Sequence, residues 1–95
     1  MSRRPRVLRL APYVQEAIRS LHPDLKRRVR EALDGLLTTP DSGKALTREL
    51  SGWRSVRVGR VRIIYRERGD VLEVAAIGPR TSIYLDAAAR LRSRG

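Results

Sequence analysis

The chain has no cysteine, so neither a disulfide framework nor a thiolate metal site can form. It has a single histidine, no cluster with metal-ligand spacing, no Ser/His/Asp arrangement and no glycine-rich phosphate loop. No apolar run approaches the roughly 20 residues that span a bilayer. The opening MSRRPRVLRL is basic but lacks the apolar core and small-residue cleavage site of a signal peptide. A reducing, cytoplasmic setting fits these absences. Internal repeats, low-complexity tracts and long linkers are missing too, and 95 residues suit one domain, 1–95. Acid is scarce, with 10 Asp and Glu against 21 Lys and Arg, a net charge of +11.

What fills that gap is arginine. Only Lys26 and Lys44 are lysines, so 19 of the 21 basic residues carry a guanidinium. GC-rich coding accounts for arginine over lysine but not for the size of the excess. Such a surface favours phosphate backbones or an acidic protein, and arginine suits two-pronged phosphate contacts.

Residues 53–65, WRSVRVGRVRIIY, carry the sharpest pattern. Val56-Arg57-Val58 and Val61-Arg62-Ile63 alternate apolar and polar residues, the period of a half-buried strand. Gly59-Arg60 fits a two-residue hairpin loop with glycine first. That register sets Val58 beside Val61, Val56 opposite Ile63 and Arg57 opposite Arg62. Opposed like charges cost something under ~1 kcal/mol when solvated. An anion between the two guanidiniums explains the pair; two solvated arginines on an open sheet face explain it as well.

The remaining elements follow from periodicity. Residues 6–10 read as a short first strand. Val14, Ala17, Ile18 and Leu21 mark a helix opened by Ala11-Pro12. His22-Pro23-Asp24 starts a second, with Leu25, Val29, Ala32, Leu33 and Leu36 inward and Lys26, Arg27, Arg28 and Arg30 on the opposite face. Strands are expected at about 53–58, 60–67 and 71–77, with a turn at Gly69-Asp70. Tyr65 then faces Val74, Ile63 faces Ala76, and Arg66 meets Glu73. One core face results, formed by Val56, Val58, Val61, Ile63, Tyr65, Leu72, Val74 and Ala76. Arg57, Arg62, Ile64 and Ile77 occupy the other. Residues 83–92 read as a terminal helix with Leu85, Ala88 and Leu91 inward. The fold expected is α+β, an N-terminal helical hairpin packed on a small antiparallel sheet with a short C-terminal helix. Arg80, ending the third strand, and Tyr84 then join Arg57 and Arg62 around one concave spot. Trp53 reads as an anchor against the second helix, His22 as a helix-junction residue and Tyr65 as structural.

Residues 46–65, L-x-x-x-L-S-G-W-R-S-V-R-V-G-R-V-R-I-I-Y, followed by A-I-G-P-R-T-S-I-Y, resemble the RelE/ParE superfamily of small bacterial toxins. The resemblance implies a RelE-like microbial ribonuclease type of fold, and a toxin that cuts messenger RNA in the ribosomal decoding site without metal or cofactor. The ribose 2′-OH attacks the adjacent phosphate and leaves a cyclic phosphate and a free 5′-OH. Arg62 matches the arginine that holds the scissile phosphate, Arg80 the residue assisting the leaving oxygen, and Tyr84 the aromatic that orients a base. Arg57 stands where relatives often have a catalytic lysine. Lys26, Arg27, Arg30, Lys44, Arg54 and Arg60 are the basic residues expected to contact RNA. Arginine stays protonated beyond pH 12 and is a poor base. Pro79 and Lys44 stand where other members carry a histidine or a glutamate. Tyr84, Lys44 or the ribosome then handles the proton, or cleavage is slow or absent.

On the same scaffold, ParE-type members inhibit DNA gyrase and need no nuclease residues. Either reading implies an acidic antitoxin that wraps the toxin, with operator DNA met only through that partner, and no membrane.

Overall fold

The computed structural model describes residues 7–93. Five strands form one mixed sheet in the order β1-β5-β4-β3-β2. They are β1 (Val7–Leu10), β2 (Lys44–Ala45), β3 (Arg54–Val58), β4 (Val61–Arg68) and β5 (Val71–Pro79). Among the described residues there are also three α-helices, α1 (Pro12–Arg19), α2 (Pro23–Thr38) and α3 (Ile83–Ser93), and a short 3-10 helix at Arg48–Leu50. Each of the first two begins on proline, which needs no intrahelical partner for its missing N–H. His22 caps α2, its Nδ1 accepting from the Asp24 N–H at 3.2 Å.

The hairpin expectation holds residue by residue. Val58 pairs with Val61, Val56 with Ile63 and Arg57 with Arg62. Gly59 takes φ +59°, and Arg60 after it does not enter the left-handed region, as the glycine-first turn requires. The turn at Gly69-Asp70 also forms, Arg68 pairing with Val71 across it. The 6–10 strand is β1, with its expected first residue, Arg6, lying outside the described residues.

Several expectations need correction. The sheet is mixed rather than antiparallel, because β1 runs parallel to β5, Leu8 beside Leu72 and Leu10 beside Val74. The helical hairpin is not what organises its layer: β1 comes first, and α1 leans on β5 while α2 leans on β3. Lys44 belongs to the short edge strand β2 and pairs with Ser55. A bulge between Ile64 and Tyr65 adds Ala75 to β5, so Tyr65 still faces Val74 but Ile63 faces Ile77, not Ala76. The swap moves Ile77 into the core under α1 and α2, and Ala76 to the other face.

That other face is not simply open. Ile64, Ala75 and Ala76 are buried there with Leu50, Trp53, Ile83, Ala87 and Ala88, so α3 covers the middle of it. Trp53 therefore anchors on the α3 side, not against α2, with the Arg66 guanidinium 4.4 Å from its ring centre. Leu85, expected inward, is 77% exposed; Ala88 is buried as expected, and Ile83 and Ala87 face the sheet with it. Tyr65 is wholly buried as expected, its hydroxyl donating to the Pro40 carbonyl at 2.7 Å and accepting from the Gly43 N–H at 2.9 Å.

Candidate functional site

Where α3 ends its cover, the sheet face turns to arginine. Arg57 on β3 and Arg62 on β4 are direct cross-strand partners, so both side chains leave the sheet on the side that carries Ile64. Gly78 pairs with Arg62 from β5, and the strand ends one residue later at Pro79. A turn follows, the Ser82 N–H donating to the Pro79 carbonyl at 3.2 Å, and it sets Arg80 beside the pair. Arg57, Gly59, Arg60, Val61, Arg62 and Arg80 line a shallow pocket of about 240 Å³. Four of these six residues are arginines and none is acidic.

The Arg57 Nε donates to the Gly59 carbonyl at 3.2 Å, which folds its guanidinium over the turn. Arg62 is different: its Nε is buried and has no hydrogen-bond partner. A buried donor left unmade costs about 1–3 kcal/mol, more when charged. An anion seated on the guanidinium removes that cost, and phosphate oxygens match its fork geometry.

Tyr84 does not line the pocket. It is half-buried at the start of α3, its hydroxyl 3.5 Å from the Oγ of the buried Ser55. Ser55 precedes Arg57 by two residues and shares its side of β3, so the tyrosine borders the arginines rather than standing among them.

Of the other basic candidates only Arg60 lines the pocket. Arg54 turns to its own loop, donating to the carbonyls of Gly43 at 2.8 Å and Asp41 at 3.2 Å. Lys44 is exposed on the edge strand β2. Lys26 and Arg30 line a separate groove with Leu8, Leu10, Ile18 and Leu33. Arg27 is exposed and 4.0 Å from Asp24.

Arg28 reaches the hairpin tip instead: a Cβ added to Gly59 would lie 3.3 Å from its Nη1 and 3.1 Å from Leu25 Cδ1. The sequence marks Arg28 as part of a basic helix face. It gives no signal of this approach, which depends on how α2 rests on β3. Among the described residues, no group of three or more His, Cys, Asp or Glu side chains is placed to hold a metal ion. None of the described helices is long and apolar enough to cross a membrane.

Known proteins give this arrangement a context. Residues 7–84 match the model of the ParE toxin family, described as the ParE toxin of type II toxin-antitoxin systems. No curated protein gives a significant sequence match. Among solved structures, a chain of the toxin-antitoxin complex RelBE2 from Mycobacterium tuberculosis superposes with a TM-score of 0.71 and 28% identity. That match covers 80% of this chain and 99% of that one. The free Escherichia coli toxin RelE, in a doubly substituted form, gives a TM-score of 0.71 at 15% identity, covering 93% and 95% of the two chains. The archaeal RelE-RelB complex from Pyrococcus horikoshii gives 0.63 at 24%, covering 78% and 93%. The last two likenesses concern the fold alone. With the family match running from β1 to Tyr84, the chain belongs to the ParE toxin family, within the RelE/ParE superfamily of type II toxin-antitoxin toxins.

Proposed function

We propose that this toxin is a ribosome-dependent endoribonuclease that stops translation by cutting messenger RNA, with the arginine pocket as its phosphate site. The observation that carries the reading is the buried Arg62 Nε without a partner, in a pocket walled by four arginines and no carboxylate. In the reaction the ribose O2′ bonds to the adjacent phosphorus and the P–O5′ bond breaks. The products are a 2′,3′-cyclic phosphate and a 5′-OH. The O2′ proton must leave and O5′ must gain one.

Arg62 holds the scissile phosphate, and Arg57 across from it shares the charge that builds on the phosphorane. Arg80 stands over the leaving oxygen, and Tyr84 steadies a flanking base. Arg60 extends the cationic wall toward neighbouring phosphates, and Arg54, Lys44, Lys26, Arg27 and Arg30 contribute only to the longer-range field. The four lining arginines are poor bases, so the O2′ proton goes to a base brought by the ribosome, and water supplies the proton that O5′ gains.

The test is a translation reaction with purified toxin and mapping of RNA ends. Wild type yields new 5′-OH ends, and Arg62→Ala lowers the cleavage rate by about 10²–10³-fold, the usual effect of one electrostatic donor. Equal cleavage by both proteins rejects the assignment.

A second reading has its own support, the match to the ParE family and a pocket without a base. In it the toxin inhibits DNA gyrase as a protein ligand and cuts nothing. A supercoiling assay separates the two, since only this reading gives gyrase inhibition.

A further inference from the structure

The hairpin tip gathers positive charge from beyond the pocket. Gly59 takes φ +59°, and the space that a Cβ would enter is already bordered by α2. Leu25 Cδ1 lies 3.1 Å from that point, Arg28 Nη1 3.3 Å and Arg28 Cζ 3.8 Å. The Arg57 Nε donates to the carbonyl of the same glycine at 3.2 Å, and Arg60 follows it in the chain. Arg57, Arg60 and Arg28, from β3, the turn and α2, thus gather at one glycine. Leu25 packs with Val58 and Val61 in the core, so the seating of α2 fixes where Arg28 stands.

Arg28 has candidate partners on its own helix and does not use them. Asp24 and Glu31 stand at i−4 and i+3, the spacings at which helical ion pairs form. Asp24 instead lies 4.0 Å from Arg27, and no ion pair joins Arg28 to a carboxylate among the described residues. Arg28 is exposed, and the pocket beside it has four arginines and no acid in its lining. A single phosphodiester brings one negative charge to that set. A second phosphate of the same strand offsets more of the excess, and an arginine on the far side of the turn is placed to receive it.

We infer that Arg28, with Arg60, forms a second phosphate subsite that holds the messenger phosphate on the 5′ side of the scissile one. The polarity follows from the sheet. Arg80, just past the end of β5, stands over the leaving O5′, so the 3′ strand departs on that side. β4 and then β3 lie across from it, and α2 leans on β3. The 5′ strand therefore passes Arg57, crosses the turn and meets Arg28. The inference rests on the nuclease reading and adds to it a contact made equally in the bound substrate and the transition state. Such a contact lowers KM and leaves kcat alone.

The test runs the end-mapping reaction with Arg28→Ala beside Arg19→Ala, which removes the same charge from α1, where Arg19 pairs with Glu16. Arg28→Ala is expected to raise KM for the ribosome–messenger complex about three- to tenfold with kcat nearly unchanged, whereas Arg62→Ala lowers kcat. A messenger with an uncharged methylphosphonate at the 5′ neighbouring phosphate should raise KM of the wild type equally and leave Arg28→Ala indifferent. That substrate leaves the protein unaltered, so its result stands even where a variant folds poorly. An equal effect of Arg19→Ala reduces Arg28 to the long-range field and overturns the inference. So does an Arg28 effect that survives the methylphosphonate, which assigns the residue to the ribosome, or one that moves to the 3′ neighbouring phosphate. In titrations with labelled single-stranded RNA, Arg28→Ala should shallow the log–log salt slope by about 0.7; an unchanged slope overturns the subsite. Wild-type cleavage that Arg62→Ala loses and Arg28→Ala keeps in full strikes this inference alone. No cleavage by the wild type strikes the nuclease reading, and the inference with it.

Discussion

Tyr65 and Gly43 show how a single contact fixes the loop ahead of the hairpin. The Tyr65 hydroxyl bridges the Pro40 carbonyl and the Gly43 N–H, while Arg54 holds the Gly43 carbonyl from the other side. A Cβ on Gly43 would lie 2.5 Å from Tyr65 Oη and 2.9 Å from the Ser55 carbonyl. Gly43→Ala should therefore cost about 1–3 kcal/mol by overpacking, read as a lower denaturant midpoint. Tyr65→Phe should cost a similar ~1–3 kcal/mol by leaving buried backbone groups unpaired. Neither change touches the arginine pocket. At this scale the sequence was readable where alternation governs: Tyr65 inward, Arg57 against Arg62, His22 at a helix junction. It was not readable for Tyr84, which stands beside the pocket through Ser55, nor for Arg28, whose approach to Gly59 spans distant parts of the chain.

Among the elements, α3 forms where expected, with Ala88 and Leu91 on the sheet side, and departs at Leu85. Its inward side is Ile83 with Ala87 and Ala88, the two alanines bringing the helix close to Ala75 and Ala76. Ile83 is 1% exposed, so Ile83→Ala should cost about 2–5 kcal/mol in chemical denaturation. Leu85→Ala, at a 77% exposed position, should change stability by no more than about 0.5 kcal/mol. A large loss at Leu85 and none at Ile83 would mean the helix is rotated from this placement. The reason α3 misleads a reader of sequence is that its apolar residues surround it, with Leu85 pointing outward and alanine doing the packing. The pairing of β1 with β5 is hidden for another reason. It joins Val7 to Val71, and no local turn announces a parallel strand. The bulge at Ala75 sits in an almost continuous apolar run, where alternation carries no register.

For the whole molecule, charge and buried tyrosines set the response to solution conditions. The proposed RNA contact through four lining arginines gives a log–log salt slope of about −3 for single-stranded RNA. Anisotropy titrations between low and physiological salt measure it; a slope near zero would remove phosphate contact as the basis of binding. Burial pushes the Tyr13 and Tyr65 hydroxyls above the usual tyrosine range, Arg90 opposing the rise at Tyr13 and the Gly43 N–H opposing it at Tyr65. Tyr13 donates to the Ala75 carbonyl and Tyr65 to that of Pro40, so each needs its proton. The folded chain thus holds protons that the unfolded chain releases near pH 10. Stability from these groups is intact below that value and lost as pH rises through the higher folded values. Urea midpoints should stay level up to about pH 9 and fall above it, and Tyr13→Phe should reduce the fall.

One extra residue in β5 also decides which neighbour Arg62 has. Without Ala75 as a bulge, the pairing that joins Tyr65 to Val74 would continue in step and set Ile77 opposite Arg62, its branched side chain standing in the arginine's path. With the bulge, Gly78 takes that position and Ile77 turns into the opposite layer. The same sequence paired with Ala75 in step, opposite Ile64, should still build a sheet, yet plug the concavity with hydrocarbon. The anion's seat is thus cleared by a slip of phase along one strand, a change that no inspection of the arginines themselves would reveal.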